Sequence, residues 1–92
     1  MYPAVRVIAV DVDGTLLLRD GVNQALVTWI KRRRDEGYTV MLWSARGERY
    51  ARHIAGALEI EHLFDVIVSK PGYVVDDQGW DWIRYTHVVR GA

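Results

Sequence analysis

The sequence predicts an α/β fold in which helices pack on a mainly parallel sheet. Three short apolar runs typical of buried strands alternate with two stretches of helical period. In chain order, these segments occupy residues 5–10, 22–36, 38–43, 45–58 and 64–69. Because neighbouring parallel strands need a crossover of about a dozen residues or more, helices are the expected connections between them. A parallel sheet with helices on its faces follows from this alternation.

Composition and charge restrict the class of protein. Half of the 92 residues are apolar and 26% are charged, which is typical of a folded globular chain, so we expect one domain over residues 1–92. Twelve basic and twelve acidic side chains cancel, so no overall field favours nucleic acid or a membrane surface. The absence of cysteine excludes disulfides and thiolate metal sites. We expect a cytoplasmic location, because no apolar run approaches the ~20 residues of a membrane span and the first residues lack the features of a signal peptide.

The first half of the chain predicts one strand and one helix. The apolar run at residues 5–10 has the length of a strand buried on both faces. Over residues 22–36 the apolar side chains recur at helical spacing. Asn23 is a suitable N-cap for this helix, and Gly37 is expected to end it.

The second half predicts further strands around a second helix. In chain order, the expected elements are a strand at 38–43, a helix at 45–58, a strand at 64–69, a short fourth strand at 73–75 and an edge strand at 85–89. Tyr50 and Ile54 lie on the apolar side of the second helix. Trp29 and Trp43 are expected in the core.

Polar side chains follow each of the first four expected strands. They are Asp11 and Asp13 after the first strand, Ser44 after the second, Lys70 after the third, and Asp76 with Asp77 after the fourth. Because ligands of an open parallel sheet bind beyond the carboxyl ends of its strands, these side chains are expected to converge on one edge. Taken singly, each has a structural interpretation as a turn, a helix cap or a solvated loop residue. Their joint placement at the ends of the strands favours a ligand-binding site over these separate structural interpretations.

The converging residues suit phosphoryl transfer. Carboxylates that share a crevice need a cation, and a site made of oxygen ligands suits Mg²⁺. Asp11 can act as a nucleophile, while Asp13 exchanges a proton with the leaving group and then with water. The groups available to bind a phosphate are the backbone at Gly14, the hydroxyls of Thr15 and Ser44, and the ammonium group of Lys70, although Thr15 could instead orient Asp11. Such a site transfers a phosphoryl group through an aspartyl-phosphate intermediate.

Four stretches of the sequence resemble the motifs of the haloacid dehalogenase superfamily of phosphohydrolases. They are DVDGT (11–15), LWSARG (42–47), SKP (69–71) and VVDD (74–77), in the order of the family. The resemblance implies a three-layer, Rossmann-like core with a mainly parallel sheet. It also implies Asp11 as the nucleophile, Asp13 as the general acid and base, and Ser44 and Lys70 as phosphate ligands.

The resemblance further implies a Mg²⁺-dependent phosphatase. The implied metal ligands are Asp11, the backbone carbonyl of Asp13, Asp76 and, directly or through water, Asp77. An aspartate at position 13 is similar to the phosphatase and phosphotransferase members of the family, which argues against dehalogenation.

The sequence departs from the common family pattern in two ways. Only PGYVV (71–75) separates Lys70 from Asp76, where many members have a helix and a strand. No stretch is long enough for a cap domain, so we expect a capless core with an open site. Such a site needs either a large phosphorylated substrate that covers it or a neighbouring subunit, in a homo-oligomer, that supplies a lid.

Three side chains near the expected site are candidates for contacts with the substrate. Arg46 follows Ser44 closely and is a candidate ligand for an anionic substrate, although a solvated helix face is the alternative. Trp80 and Trp82 follow the last acids and could stack on a base or sugar, bury in a dimer contact, or pack in the core.

Other classes of protein share these residues. A signalling receiver domain also has acids, a hydroxyl and a lysine at strand ends, but its phosphorylated aspartate follows an earlier acidic pair, whereas here DVDGT comes first. An inactive phosphoester-binding module or a phosphotransferase would keep the same residues. Mg²⁺-dependent turnover distinguishes a phosphatase from a binding module.

Overall fold

The computed structural model describes residues 5–90, which contain five strands and two α-helices. In chain order the elements are β1 (Val7–Asp11), β2 (Leu17–Leu18), β3 (Gly21–Val22), α1 (Gln24–Asp35), β4 (Thr39–Ser44), α2 (Glu48–Ala57), a 3-10 helix (Glu61–Leu63) and β5 (Val66–Ser69). Three strands form a parallel sheet in the order β1-β4-β5, while β2 and β3 form a separate antiparallel hairpin. The predicted α/β class and mainly parallel sheet are confirmed. Within the described residues, no helix has the length and apolar character needed to cross a membrane.

The two helices pack on the same face of the sheet. The crossovers from β1 to β4 and from β4 to β5 run in one direction, and right-handed crossovers in one direction place their helices on one side. Val10, Leu42 and Ile67 are neighbours across the three strands and are buried on this face. Ile30 of α1 and Ala51 of α2 join them in one hydrophobic core. Burial of each large apolar side chain in this layer contributes roughly 1.5–3 kcal/mol to folding.

The opposite face of the sheet carries no helix within the part of the chain that the structure describes. Val7 and Val66 are 53% and 42% exposed on this face. A cavity of about 1600 Å³ runs along β1, the edge strand of the sheet, and is lined by both faces of β1, the open face of β4, one side of α1 and residues 82–90. Trp29 and Trp43, both expected in the core, instead line this cavity. The second helical layer of the expected three-layer sandwich is therefore not formed by the described residues.

The fourth strand predicted at residues 73–75 and the edge strand predicted at 85–89 are wrong. Both stretches lie outside the sheet, and almost every residue after β5 is exposed. Only three residues separate β5 from the expected fourth strand. This connection is far too short for the crossover that a parallel neighbour requires. Asp76 and Asp77 are consequently not held at the sheet edge by a strand.

Asn23 joins the loop after β1 to the start of α1. Its Oδ1 accepts a hydrogen bond from the Leu26 N–H at 3.1 Å, which confirms the predicted N-cap, and its Nδ2 donates to the Thr15 carbonyl oxygen at 3.0 Å. Its own N–H donates to the Leu16 carbonyl oxygen at 2.8 Å. At the other end of the helix, Gly37 has a φ of +94° and follows the last turn, as predicted.

Replacing Asn23 with alanine is expected to lower the free energy of unfolding by about 1–2 kcal/mol, because α1 loses its cap and the Thr15 carbonyl loses a donor. Asn23→Ser is the matched variant: its hydroxyl keeps an acceptor for the Leu26 N–H and places no second oxygen against the Thr15 carbonyl, so its unfolding free energy should fall less. Urea denaturation followed by circular dichroism measures both variants. An alanine variant that unfolds at the wild-type urea concentration would contradict this role.

Candidate active site

The loop after β1 alternates buried and accessible residues. Val12 and Leu16 are fully buried and anchor the loop to the core. Gly14 has a φ of +78°, a left-handed conformation that glycine adopts without strain, and it forms the tight turn between these anchors. The side chains that remain accessible are those of Asp11, Asp13 and Thr15. The apolar anchors thus present three polar side chains at the carboxyl end of β1.

Asp11 ends β1 with its carboxylate between a hydroxyl and an ammonium group. Thr15 Oγ1 donates a hydrogen bond to Asp11 Oδ2 at 3.3 Å, and Lys70 Nζ lies 3.8 Å from Asp11 Oδ1. Lys70 Nζ also lies 5.8 Å from the centre of the Trp43 ring, within range of a cation–π contact. The side chains of Asp11 and Lys70 are 33% and 41% exposed, so a substrate can reach both. This placement suits a nucleophile that meets an anionic substrate.

Asp13 faces the start of α2 and the loop before it. The Tyr50 hydroxyl donates a hydrogen bond to Asp13 Oδ1 at 2.6 Å, and Arg46 Nη1 lies 3.6 Å from Asp13 Oδ2. The Arg46 guanidinium also stacks on the Tyr50 ring, 4.1 Å from its centre. The hydrogen bond to Asp13 raises the pKa of the Tyr50 hydroxyl above its ordinary value, because the carboxylate accepts from the protonated phenol and so favours that form. Asp11 and Asp13 therefore have different partners.

Ser44 connects the two strands that flank the site. It ends β4, is 2% exposed, and its Oγ accepts a hydrogen bond from the Arg46 N–H at 3.0 Å. Its carbonyl oxygen accepts from the Gly47 N–H at 3.1 Å and from the Lys70 N–H at 2.9 Å. The N-cap of α2 is Gly47, so the alternative interpretation of Ser44 as the helix cap is wrong. Ser44 instead fixes the backbone of Lys70 beside the loop that begins α2.

The start of α2 is held by a side chain of the neighbouring strand. Gly47 has no side chain that could cap the helix, and its φ is +105°. Ser69, the last residue of β5, accepts a hydrogen bond from the Glu48 N–H at 2.9 Å through its Oγ. This role of Ser69 was not predicted from the sequence. The position of this serine at the carboxyl end of a strand, directly before Lys70, is the feature of the sequence that could have indicated it.

Asp76 and Asp77 do not join the other acids. Both are exposed, and Asp76 Oδ1 accepts a hydrogen bond from the Gln78 N–H at 2.8 Å, which forms a local turn. Among residues 5–90, no three side chains of His, Cys, Asp or Glu are grouped in a way that could hold a metal ion. This acidic pair therefore lies in an exposed turn. The metal roles of Asp76 and Asp77 stay predictions.

Comparison with known proteins identifies the family. Residues 8–90 match the family model of haloacid dehalogenase-like hydrolases. The chain belongs to this family. The matched region includes all four motifs, so the superfamily indicated by those motifs is confirmed. Neither a curated protein nor a solved structure matches the chain significantly.

The oxygen donors of this haloacid dehalogenase-like hydrolase fit a magnesium ion in part. Mg²⁺ is commonly held by one or two carboxylates together with waters and substrate phosphate oxygens. β1 ends at Asp11, and Asp13 follows two residues later in the loop, so the Asp11 carboxylate and the Asp13 backbone carbonyl are the groups that could supply this minimal set. A third acidic ligand from Asp76 or Asp77 is not gathered with them among the described residues. The metal roles of Asp11 and Asp13, like those of Asp76 and Asp77, stay predictions.

The aromatic pair of this hydrolase after the last motif is accessible. The rings of Trp80 and Trp82 pack with their centres 5.4 Å apart, and each residue is 48% exposed. Trp82 lines the same cavity as Asp11 and Lys70. Stacking on a substrate and a dimer contact both stay predictions for this pair.

Proposed function

We propose that this haloacid dehalogenase-like hydrolase is a Mg²⁺-dependent phosphatase that hydrolyses phosphomonoesters through an aspartyl-phosphate. The observation that supports this proposal is the separate surroundings of two acids that lie two residues apart. Asp11 faces Thr15 and Lys70, whereas Asp13 faces Tyr50 and Arg46. Displacement followed by hydrolysis needs a nucleophile and a proton-transfer group as two distinct side chains, and this arrangement supplies both.

In the first step, a carboxylate oxygen of Asp11 attacks the phosphorus atom and the bond from phosphorus to the leaving oxygen breaks. Lys70, 3.8 Å from Asp11, places a positive charge where the phosphoryl oxygens would lie. Asp13 gives a proton to the leaving oxygen, which departs as an alcohol. The enzyme is left with a phosphoryl group on Asp11.

In the second step, water attacks the same phosphorus atom and the bond from phosphorus to Asp11 breaks. Asp13 takes the proton of the attacking water, so inorganic phosphate leaves and both acids return to their starting states. Asp13 can serve both steps because it gives up its proton in the first step and takes one from water in the second.

The other phosphate ligands that we propose surround Asp11 at the carboxyl edge of the sheet. They are the backbone at Gly14, the hydroxyls of Thr15 and Ser44, and the ammonium group of Lys70. Arg46 is 65% exposed and is our candidate for a contact with an anionic part of the substrate. Bound Mg²⁺ would neutralise phosphoryl charge and polarise the phosphorus centre.

The substrate of this open site is proposed only as a phosphorylated small molecule or macromolecule. The stretches between the motifs hold no inserted cap domain, so we propose that the substrate itself or a second subunit helps to exclude water from the site.

A phosphoester-binding module without turnover is the second candidate. The observation that favours it is the position of Asp76 and Asp77, which are exposed and do not join Asp11 and Asp13. A site without the carboxylates of Asp76 and Asp77 would hold a phosphate group through Lys70 and Thr15 yet turn it over slowly. A phosphotransferase, which passes the phosphoryl group to an alcohol in place of water, uses the same first step.

Phosphate release from a panel of phosphomonoesters tests these candidates. The panel holds sugar phosphates, nucleotides, a phosphopeptide and p-nitrophenyl phosphate. We expect release with Mg²⁺, a loss of at least about 10²-fold when EDTA removes the metal, and recovery when Mg²⁺ is restored in excess.

Other results of the panel would contradict the metal dependence or support one of the other candidate functions. Release that EDTA does not change would contradict the metal dependence. Binding of a phosphoester without release would support the binding module, and phosphoryl transfer to an added alcohol would support the phosphotransferase.

A further inference from the structure

Tyr50 presents its hydroxyl to Asp13 from a fixed position. It lies in the first turn of α2, where the adjacent Ala51 is fully buried and the Tyr50 ring packs against the core. The start of this helix is held by the hydrogen bond from the Glu48 N–H to Ser69 Oγ. Tyrosine has only two side-chain torsions, so a ring anchored in this way leaves its hydroxyl little freedom.

Asp13 depends on α2 and the loop before it for the orientation of its carboxylate. Its side chain lies in a loop and is 46% exposed. The Tyr50 contact, at 2.6 Å, has the length of a strong hydrogen bond to a carboxylate, whereas the Arg46 contact, at 3.6 Å, is longer than a hydrogen bond. Tyr50 is therefore the partner that fixes the carboxylate.

The two carboxylate oxygens of Asp13 are not equivalent. Oδ1 accepts the Tyr50 hydroxyl and is poorly placed to carry a proton of its own. Oδ2 faces the accessible guanidinium of Arg46 at 3.6 Å, a separation longer than a hydrogen bond, so no partner holds this oxygen as closely as Tyr50 holds Oδ1. Oδ2 is thus the oxygen that remains for the substrate.

We propose that Tyr50 is a positioning residue that holds Asp13 with Oδ2 directed to the leaving group. This inference rests on the proposed phosphatase function and deepens it. In the first step the proton passes from Oδ2 to the leaving oxygen as the bond from phosphorus to that oxygen breaks, and in the second step Oδ2 takes a proton from the attacking water. Tyr50 contacts neither the phosphorus atom nor the leaving group and acts through Asp13.

The variant Tyr50→Phe removes the hydroxyl and keeps the ring, together with its packing and the stacking of Arg46. Tyr38→Phe is the matched control, because Tyr38 precedes β4 at the opposite end of the sheet. Single-turnover phosphorylation is measured with an alkyl phosphate, whose leaving oxygen needs a proton, and with p-nitrophenyl phosphate, whose leaving group departs without one.

Tyr50→Phe is expected to slow phosphorylation by the alkyl phosphate about tenfold, with KM changed by less than about twofold. Phosphorylation by p-nitrophenyl phosphate should stay within about twofold of the wild-type rate, since no proton is needed there. Tyr38→Phe should change neither reaction. A loss of stability would slow both substrates alike, so the dependence on the leaving group is the readout that a merely structural role would not produce.

Equal slowing with both substrates, or no slowing, overturns the inference. If the wild type itself turns over neither substrate, the proposed function and the inference fail together. If the wild type is active and Tyr50→Phe matches it with the alkyl phosphate, the inference alone fails.

Discussion

Asparagine in place of Asp11 is expected to lower phosphate release at least about 10³-fold. The amide has almost the same shape as the carboxylate, but it cannot attack phosphorus to form an aspartyl-phosphate. In the structure Asp11 Oδ2 accepts from Thr15 Oγ1 and Oδ1 faces Lys70. Asparagine keeps an oxygen for one of these partners, so the variant should fold and should still bind a phosphate group.

Two measurements separate the loss of the nucleophile from a loss of structure. The wild type should form a hydroxylamine-sensitive phosphoprotein and Asp11→Asn should not, while circular dichroism should be the same for both. Asp35→Asn is the matched control, since Asp35 is an exposed residue at the end of α1. If Asp11→Asn keeps more than about a tenth of the wild-type rate, Asp11 is not the nucleophile.

The helices and the central strands are predictable because their patterns are local. The apolar spacing, the Asn23 cap and the Gly37 stop place a helix within residues 22–36, and α1 occupies Gln24–Asp35. In β4, buried and less buried residues alternate because the strand has a helix-covered face and an open face. Such periods belong to the segment itself, so the sequence shows them directly.

The chain after β5 is not predictable in the same way. Residues 73–75 have side chains typical of strands, but a strand also needs a neighbour that its connection allows it to reach. Three residues after β5 do not provide a parallel crossover, and the stretch stays outside the sheet. Because Asp76 and Asp77 follow this stretch, the error in one strand also removes the predicted position of two acids.

The residues of the candidate site also differ in how far the sequence predicts their positions. Asp11, Ser44 and Lys70 are brought together by topology alone, because parallel strands in register end at one edge. The hydroxyl of Tyr50 is different: the helical period places its ring on the apolar side of α2, where it does pack. Its reach to Asp13, 37 residues earlier in the chain, depends on the rotation and height of the helix, which no local pattern reveals.

Asparagine in place of Asp13 is expected to lower steady-state phosphate release about 10²- to 10⁴-fold, the usual contribution of a general acid and base. Hydrolysis of phospho-Asp11 needs a base for the attacking water whatever the substrate was. Phosphorylation by p-nitrophenyl phosphate needs no acid, because its leaving group is stable as an anion. The variant should therefore release about one equivalent of p-nitrophenol rapidly and then stall with phospho-Asp11 accumulated.

Stopped-flow absorbance measures this burst, and an alkyl phosphate serves as the comparison because Asp13→Asn should phosphorylate Asp11 slowly from it. Equal loss in both steps and with both substrates would mean that Asp13 is not the proton-transfer group. The double variant Tyr50→Phe with Asp13→Asn gives the stricter result. Because Tyr50 is proposed to act through the Asp13 carboxylate, its removal should cost little once that carboxylate is gone, and additive losses would assign Tyr50 an independent role.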